Sequence, residues 1–131
     1  MKAIDASQDI ASNKEIDPQG RVLDFPRHVP WKKHLEVLED EGYIQKGKIL
    51  YVLYGKDGDR RVQCVGKESG SFANRKSLPK SWRGKRDGEF CKEAGLADLK
   101  FCHMGGFLCG SESRESQIEL VKMALAAPTE D

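Results

Sequence analysis

Residues 71–86 (SFANRKSLPKSWRGKR) gather the side-chain types that hold an anion. Arg75, Lys76, Lys80, Arg83, Lys85 and Arg86 supply positive charge, Phe72 and Trp82 stand among them, and no acidic residue interrupts positions 69–86. Pro79 and Gly84 work against a long regular helix or strand, so this spacing predicts a stiffened loop. Phosphate needs charge and N–H donors, and a nucleobase needs a flat ring; the loop offers both. The same composition also describes a solvated basic loop whose Trp82 anchors it on the core. Charge patterning alone does not separate the two.

His103, followed by Gly105 and Gly106, is the second candidate. A histidine at a strand end beside glycines that expose backbone N–H groups suits an anion, and equally a half-buried histidine at a β-bulge. Cys102, His103 and Cys109 match no usual zinc spacing. Neighbouring Cys102 and His103 point to opposite faces of a strand, so they cannot share a proton as a nucleophilic pair. No carboxylate cluster offers to hold catalytic metals. The residues assign no catalytic group and no metal ligand, and the chain does not read as a complete hydrolase.

Around these candidates the chain sets broad limits. Its 131 residues suit one domain, and 22 Lys plus Arg against 21 Asp plus Glu give a net charge of +1. General affinity for polyanions is not expected at that balance; binding must come from local asymmetry. No apolar run reaches membrane-spanning length. Residues 1–19 are polar and read as a flexible tail, with no signal core and with acidic residues unlike a mitochondrial leader. Four cysteines without a CxxC pair predict free thiols in a reducing, cytoplasmic setting.

The folded part is expected over residues 20–127, with a tail at 128–131. Residues 21–25 (RVLDF) predict a first strand. Pro30 opens a helix whose Trp31, His34, Leu35 and Leu38 form one stripe, with Lys32, Lys33, Glu36, Glu39 and Asp40 on the polar side and Gly42 as its stop. His34 reads as a packed core histidine. Residues 48–54 (KILYVLY) predict a central strand, 55–58 a turn and 60–65 its return. Asp87 is expected to cap a helix to Ala94 with Phe90, Cys91 and Ala94 inward, stopped by Gly95. Residues 99–103 predict a strand with Leu99, Phe101 and His103 on one face. Ser111 or Ser113 caps a last helix to about Ala126, with Ile118, Val121 and Leu125 inward and Pro128 beyond. The expected class is α+β in two layers: a mixed or mostly antiparallel sheet with about three helices packed on one face.

Several motifs in order resemble the C-terminal domain of the melanocyte-proliferating-gene family. They are Pro30-Trp31-Lys32-x-His34-Leu35 with Leu38-Glu39, Leu50 to Tyr54 with Arg61-Val62-Gln63, Phe72-x-Asn74-Arg75-x-x-Leu78-Pro79-x-x-Trp82-Arg83-Gly84-x-Arg86, and Phe101-x-His103-x-x-Gly106-Phe107-x-x-Gly110. The resemblance covers roughly residues 20 to 127. It implies kinship with DHH-type, metal-dependent phosphoesterases that act as RNA exonucleases, whose divalent metals sit in an N-terminal domain with Asp and His motifs not found in these residues. It implies substrate capture for this part, with Asn74, Arg75, Trp82, Arg83, Arg86, His103, Gly105 and Gly106 facing the substrate. Cys109 departs from a family glycine, and Gly84-Lys85-Arg86 from a Gly-Leu-Arg.

The resulting expectation is a stand-alone, non-catalytic domain binding a phosphate-bearing ligand such as single-stranded RNA or a nucleotide, with no cofactor of its own. The rival is a protein–protein module that docks on a separate DHH domain or another partner. It predicts an exposed apolar patch around Phe72, Trp82 and Phe107. A third reading, an enzyme using His103 as acid or base, lacks a nucleophile and a metal set.

Overall fold

The computed structural model describes residues 16–25, 30–67 and 73–129. Among these, five strands form one mixed sheet and three helices pack on it. In chain order they are β1 (Val22–Asp24), α1 (Trp31–Asp40), β2 (Tyr51–Lys56), β3 (Asp59–Cys64), α2 (Asp87–Ala94), β4 (Leu99–Cys102), β5 (Leu108–Ser111) and α3 (Arg114–Ala126). The sheet order is β1-β2-β3-β5-β4; β1 runs parallel to β2 and the other pairs are antiparallel. The α+β class and the mixed sheet are as the sequence predicts.

Residues 51–54 of β2 are buried on both sides because both sheet faces are covered. Tyr51 and Leu53 join the larger core with Val62, Leu78, Trp82, Phe90, Leu120 and Val121. Val52 and Tyr54 join a second core with Leu23, Trp31, Leu35 and Val65. Helices α2 and α3 therefore sit on one face and α1 on the other, at the β1–β2 end. That placement differs from helices all on one face. The alternation along β1 requires it, since Val22 and Leu23 are both fully buried, on opposite faces.

Local chemistry accounts for the boundaries and for the misses. Gly55 is needed in β2: its φ is +119°, and a Cβ there would stand 2.2 Å from the Asp59 carbonyl oxygen. The turn shortens to Asp57-Gly58, because Lys56 still pairs with Asp59. In α2 Asp87 is not the cap; Arg86 holds that position, and Asp87 is the first helical residue with φ +50°. Ser113, not Ser111, caps α3 by accepting the Ser116 amide. The inward face of α3 is Gln117, Leu120, Val121 and Ala124, while Ile118 and Leu125 are half-buried. Gln117 escapes a hydrophobic pattern, yet its buried amide donates to the carbonyls of Tyr54 and Arg61. In β4 a bulge between Leu99 and Phe101 breaks the alternation, so Leu99 and Cys102 face the core and His103 lies beyond the strand.

Ordered structure extends upstream of residue 20: Ile16 lies in the larger core, and Asp17 receives the Arg21 backbone amide and guanidinium. Residues 1–15 of the expected tail lie outside the described residues. No helix among the described residues is long and apolar enough to cross a membrane.

Candidate functional site

The basic segment divides into two arms with different tasks. The first arm is tied down. Arg75 grips Glu39 with two hydrogen bonds, at 2.9 and 2.7 Å, and donates a third, of 2.9 Å, to the Ile49 carbonyl. Glu39 also accepts the Gly47 amide, and both side chains are nearly buried, 11% and 5% exposed. A pair so enclosed locks the loop to the end of α1. Glu39, assigned to the polar face of α1 by periodicity, is therefore buried, and Arg75 leaves the set of side chains open to a ligand. Asn74 donates to Ser77, and its backbone bridges Gly66. Lys76 reaches back to the Leu125 carbonyl, capping the end of α3; burial pushes its ammonium below the usual lysine value.

The second arm, residues 79–86, lies along the free edge of β4. Gly84 N–H donates to Cys102 O at 2.9 Å, Cys102 N–H donates to Lys85 O at 2.8 Å, and Arg86 bridges Phe101. Inside this turn Trp82 is 4% exposed and packs against Phe90 with ring centroids 5.7 Å apart. Trp82 braces the loop; it is not an open stacking platform. Arg86, further along the arm, is exposed.

The loop from His103 to Phe107 meets this arm. Gly106 O accepts both the Leu78 amide at 2.9 Å and the Cys64 thiol at 3.3 Å. Arg83 donates to Leu78 O and lies against Gly106, whose φ is +69°. The glycine amides expected to cradle an anion are engaged within the loop. Gly105 N–H donates to His103 Nδ1 and Gly106 N–H to His103 O, each at 2.9 Å. With Nδ1 accepting, the neutral imidazole carries its proton on Nε2 and presents that N–H as a donor. The exposed His103 ring packs on Phe107 with centroids 4.5 Å apart. Met104, 78% exposed, places its methyl near Gly84.

Arg83 thus lies against Gly106 in the loop that also holds His103 and Gly105, Arg86 is exposed on the same arm as Arg83, and Asn74, Arg75 and Trp82 are engaged elsewhere. The apolar patch expected around Phe72, Trp82 and Phe107 changes in the same way: Trp82 is buried, Phe72 lies outside the described residues, and Met104 with Phe107 forms the exposed part. Met104 carries no motif signal, but its place in the loop after a strand could have marked it.

The buried thiols are not ready nucleophiles in the closed fold. All four cysteines are free thiols. Burial pushes Cys64 and Cys102 up to about 12 and Cys109 well above the ordinary thiol value, so these thiols stay protonated near neutrality. Cys102 is buried while His103 is exposed, as their adjacency predicts. Among the described residues no group of three or more His, Cys, Asp or Glu is placed to hold a metal.

Residues 79–86 and 103–107 thus form adjoining basic and aromatic loops on an α+β domain. The sequence profile of MYG1 exonuclease, described as an uncharacterised protein family (UPF0160), matches residues 1–125. The chain belongs to this MYG1 family. It is 39% identical over 121 residues to the MYG1 protein YER156C of Saccharomyces cerevisiae, covering 92% of this chain and 36% of that protein. It is 35% identical over 119 residues to the MYG1 exonuclease of Homo sapiens, covering 89% and 31%. To the MYG1 protein of Dictyostelium discoideum it is 37% identical over 110 residues, covering 83% and 33%. The chain spans about a third of the length of the curated relatives it matches. No solved structure gives a significant match.

Proposed function

We propose that this chain captures a phosphate-bearing ligand, single-stranded RNA or a nucleotide, on the face built by residues 79–86 and 103–107. The observation that carries this reading is the exposed His103–Phe107 ring pair set beside the basic arm. Phe107 and His103 stack on a base, Arg86 pairs with a phosphate oxygen through its planar guanidinium, and His103 Nε2–H donates to a second oxygen. Arg83, held by Leu78 O, contributes fixed positive charge next to Gly106. Bond cleavage is not part of this role. The name exonuclease, borne by the human relative, supports a nucleic-acid ligand, and four free thiols support a reducing, cytoplasmic setting.

Fluorescence anisotropy of a labelled short single-stranded RNA tests the reading. The Arg86→Ala, Phe107→Ala double variant is expected to bind at least tenfold more weakly, roughly the loss of one stacked base and one phosphate contact, and with a shallower salt dependence. Unchanged affinity in a folded double variant contradicts it. One observation favours a second reading, docking of a partner protein such as a separate DHH domain: Met104 is 78% exposed in the same loop as Phe107. In that case Met104→Ser abolishes partner binding and leaves RNA affinity intact.

A further inference from the structure

Three of the four thiols converge in the core beneath the candidate site. Cys102 on β4 and Cys109 on β5 are directly opposite in the antiparallel register. His103 N–H donates to Leu108 O, which makes that neighbouring couple the hydrogen-bonded pair and Cys102–Cys109 the non-hydrogen-bonded one. The rest of the ladder agrees: Cys102 turns its N–H and C=O outward, to Lys85 and Gly84. Cα atoms in such a couple lie about 4.5 Å apart, within the span of roughly 4.4–6.8 Å that a disulfide bridges. Both side chains are buried in the same core. Cys64 is the competing thiol. It sits opposite Phe107 rather than Cys109, since Gln63 pairs with Leu108. It is therefore diagonal to Cys109, at a spacing nearer 7–8 Å.

We propose that Cys102 and Cys109 are a reversible modification site, closing to a cross-strand disulfide by exchange with a low-molecular-weight disulfide. Cys102 attacks first. It lies on the edge strand, and the charges of Arg83 and Lys85 favour its thiolate against the opposing effect of burial. Its thiolate displaces one thiolate from the small disulfide and forms a mixed disulfide. Cys109 then loses its proton, attacks the Cys102 sulfur and releases the second thiolate. The protein loses two protons and two electrons, and the small disulfide takes them up to become two thiols. The bond joins the two ends of the loop that carries His103 and Phe107, so oxidation state fixes the base of that loop. Burial makes the exchange slow in the closed fold and dependent on opening of the β4 edge.

The test incubates the full chain with glutathione disulfide at mildly alkaline pH, in buffer and in urea below the unfolding transition, followed by non-reducing trypsin digestion and mass spectrometry. Residues 101–114 form one tryptic peptide holding both cysteines, while Cys64 falls in another. The expected major product is peptide 101–114 lighter by two hydrogens. Cys64→Ser leaves that product unchanged, and Cys109→Ser stops the reaction at a glutathione adduct on Cys102. A predominant cross-link to Cys64, a stable adduct on Cys102 with Cys109 intact, or no oxidation of either thiol in urea overturns the proposal.

Discussion

Arg83 occupies the space that a side chain on Gly106 would need: a Cβ there would stand 2.5 Å from Arg83 Nε and 3.2 Å from its Cζ. The guanidinium cannot retreat without giving up its hydrogen bond to Leu78 O, and Gly106 also holds φ at +69°. Glycine at 106 is thus what lets the two loops close on each other. Gly106→Ala is expected to cost about 1–3 kcal/mol of stability through backbone strain and displacement of Arg83. A urea unfolding midpoint equal to that of the parent chain contradicts this packing.

Arg75 and Arg86 should separate cleanly. Arg75→Ala leaves Glu39 buried without its partner and is expected to lower stability by about 3 kcal/mol, the lower part of the range for breaking an enclosed pair. Measured where the variant remains folded, its RNA affinity stays near that of the parent. Arg86→Ala reverses the pattern, with an unchanged melting temperature and weaker RNA binding. Paired thermal melts and anisotropy titrations check both.

The two aromatics divide in the same manner. Trp82→Ala removes a buried side chain packed on Phe90 and is expected to destabilise by about 3–5 kcal/mol. Phe107→Ala removes a partly exposed ring and is expected to lose about 1–3 kcal/mol of RNA binding with little change in stability. Loss of binding on Trp82→Phe, with Phe107→Ala silent, reverses the assignment.

Stability should fall at both pH extremes for identifiable reasons. Hydrogen bonds from the Ser113 and Ser116 side chains and the Ser113 amide hold the Asp98 carboxyl below the usual aspartate value. The folded state therefore keeps that charge where the unfolded chain protonates. The contribution is present above about pH 4 and disappears as pH falls through the folded value. The thiols act in the opposite direction. Burial raises Cys64 and Cys102 to about 12, so their contribution is complete below the unfolded thiol value, about 8.5, and is lost as pH rises toward 12. Urea midpoints across pH should show the acid limb softened in Ser116→Ala and the alkaline limb softened in Cys64→Ala, each relative to its own maximum.

How far the sequence reaches depends on whether the determining partner is near in the chain. The apolar run around residues 51–54 and the stripe of Trp31 and Leu35 declare themselves, because strand and helix periods are local. So does the stop at Gly95, which adopts the left-handed conformation. Glu39 is illegible, since its environment is set by Arg75, 36 residues away. Gln117 is hidden likewise, its two carbonyl partners lying on β2 and β3. At the site, the basic loop and the histidine-glycine loop both stand out as sequence, and the structure does join them. Which aromatic faces solvent is not written locally: Trp82 turns inward because Phe90 and the β4 edge wait for it, leaving Phe107 as the open ring. The glycine amides look available in sequence because nothing there reveals that His103 Nδ1 and His103 O accept them.

The two loops are proposed to form one ligand face. Backbone amide NMR with a short single-stranded RNA and a mononucleotide, each at two salt concentrations, tests it most directly. Salt-sensitive shifts are expected at Arg83, Arg86 and residues 103–107, strongest at His103 and Phe107, with Arg75 and its Glu39 partner unmoved. Shifts centred on residues 73–77 and α1, or none in either loop at low salt, contradict it.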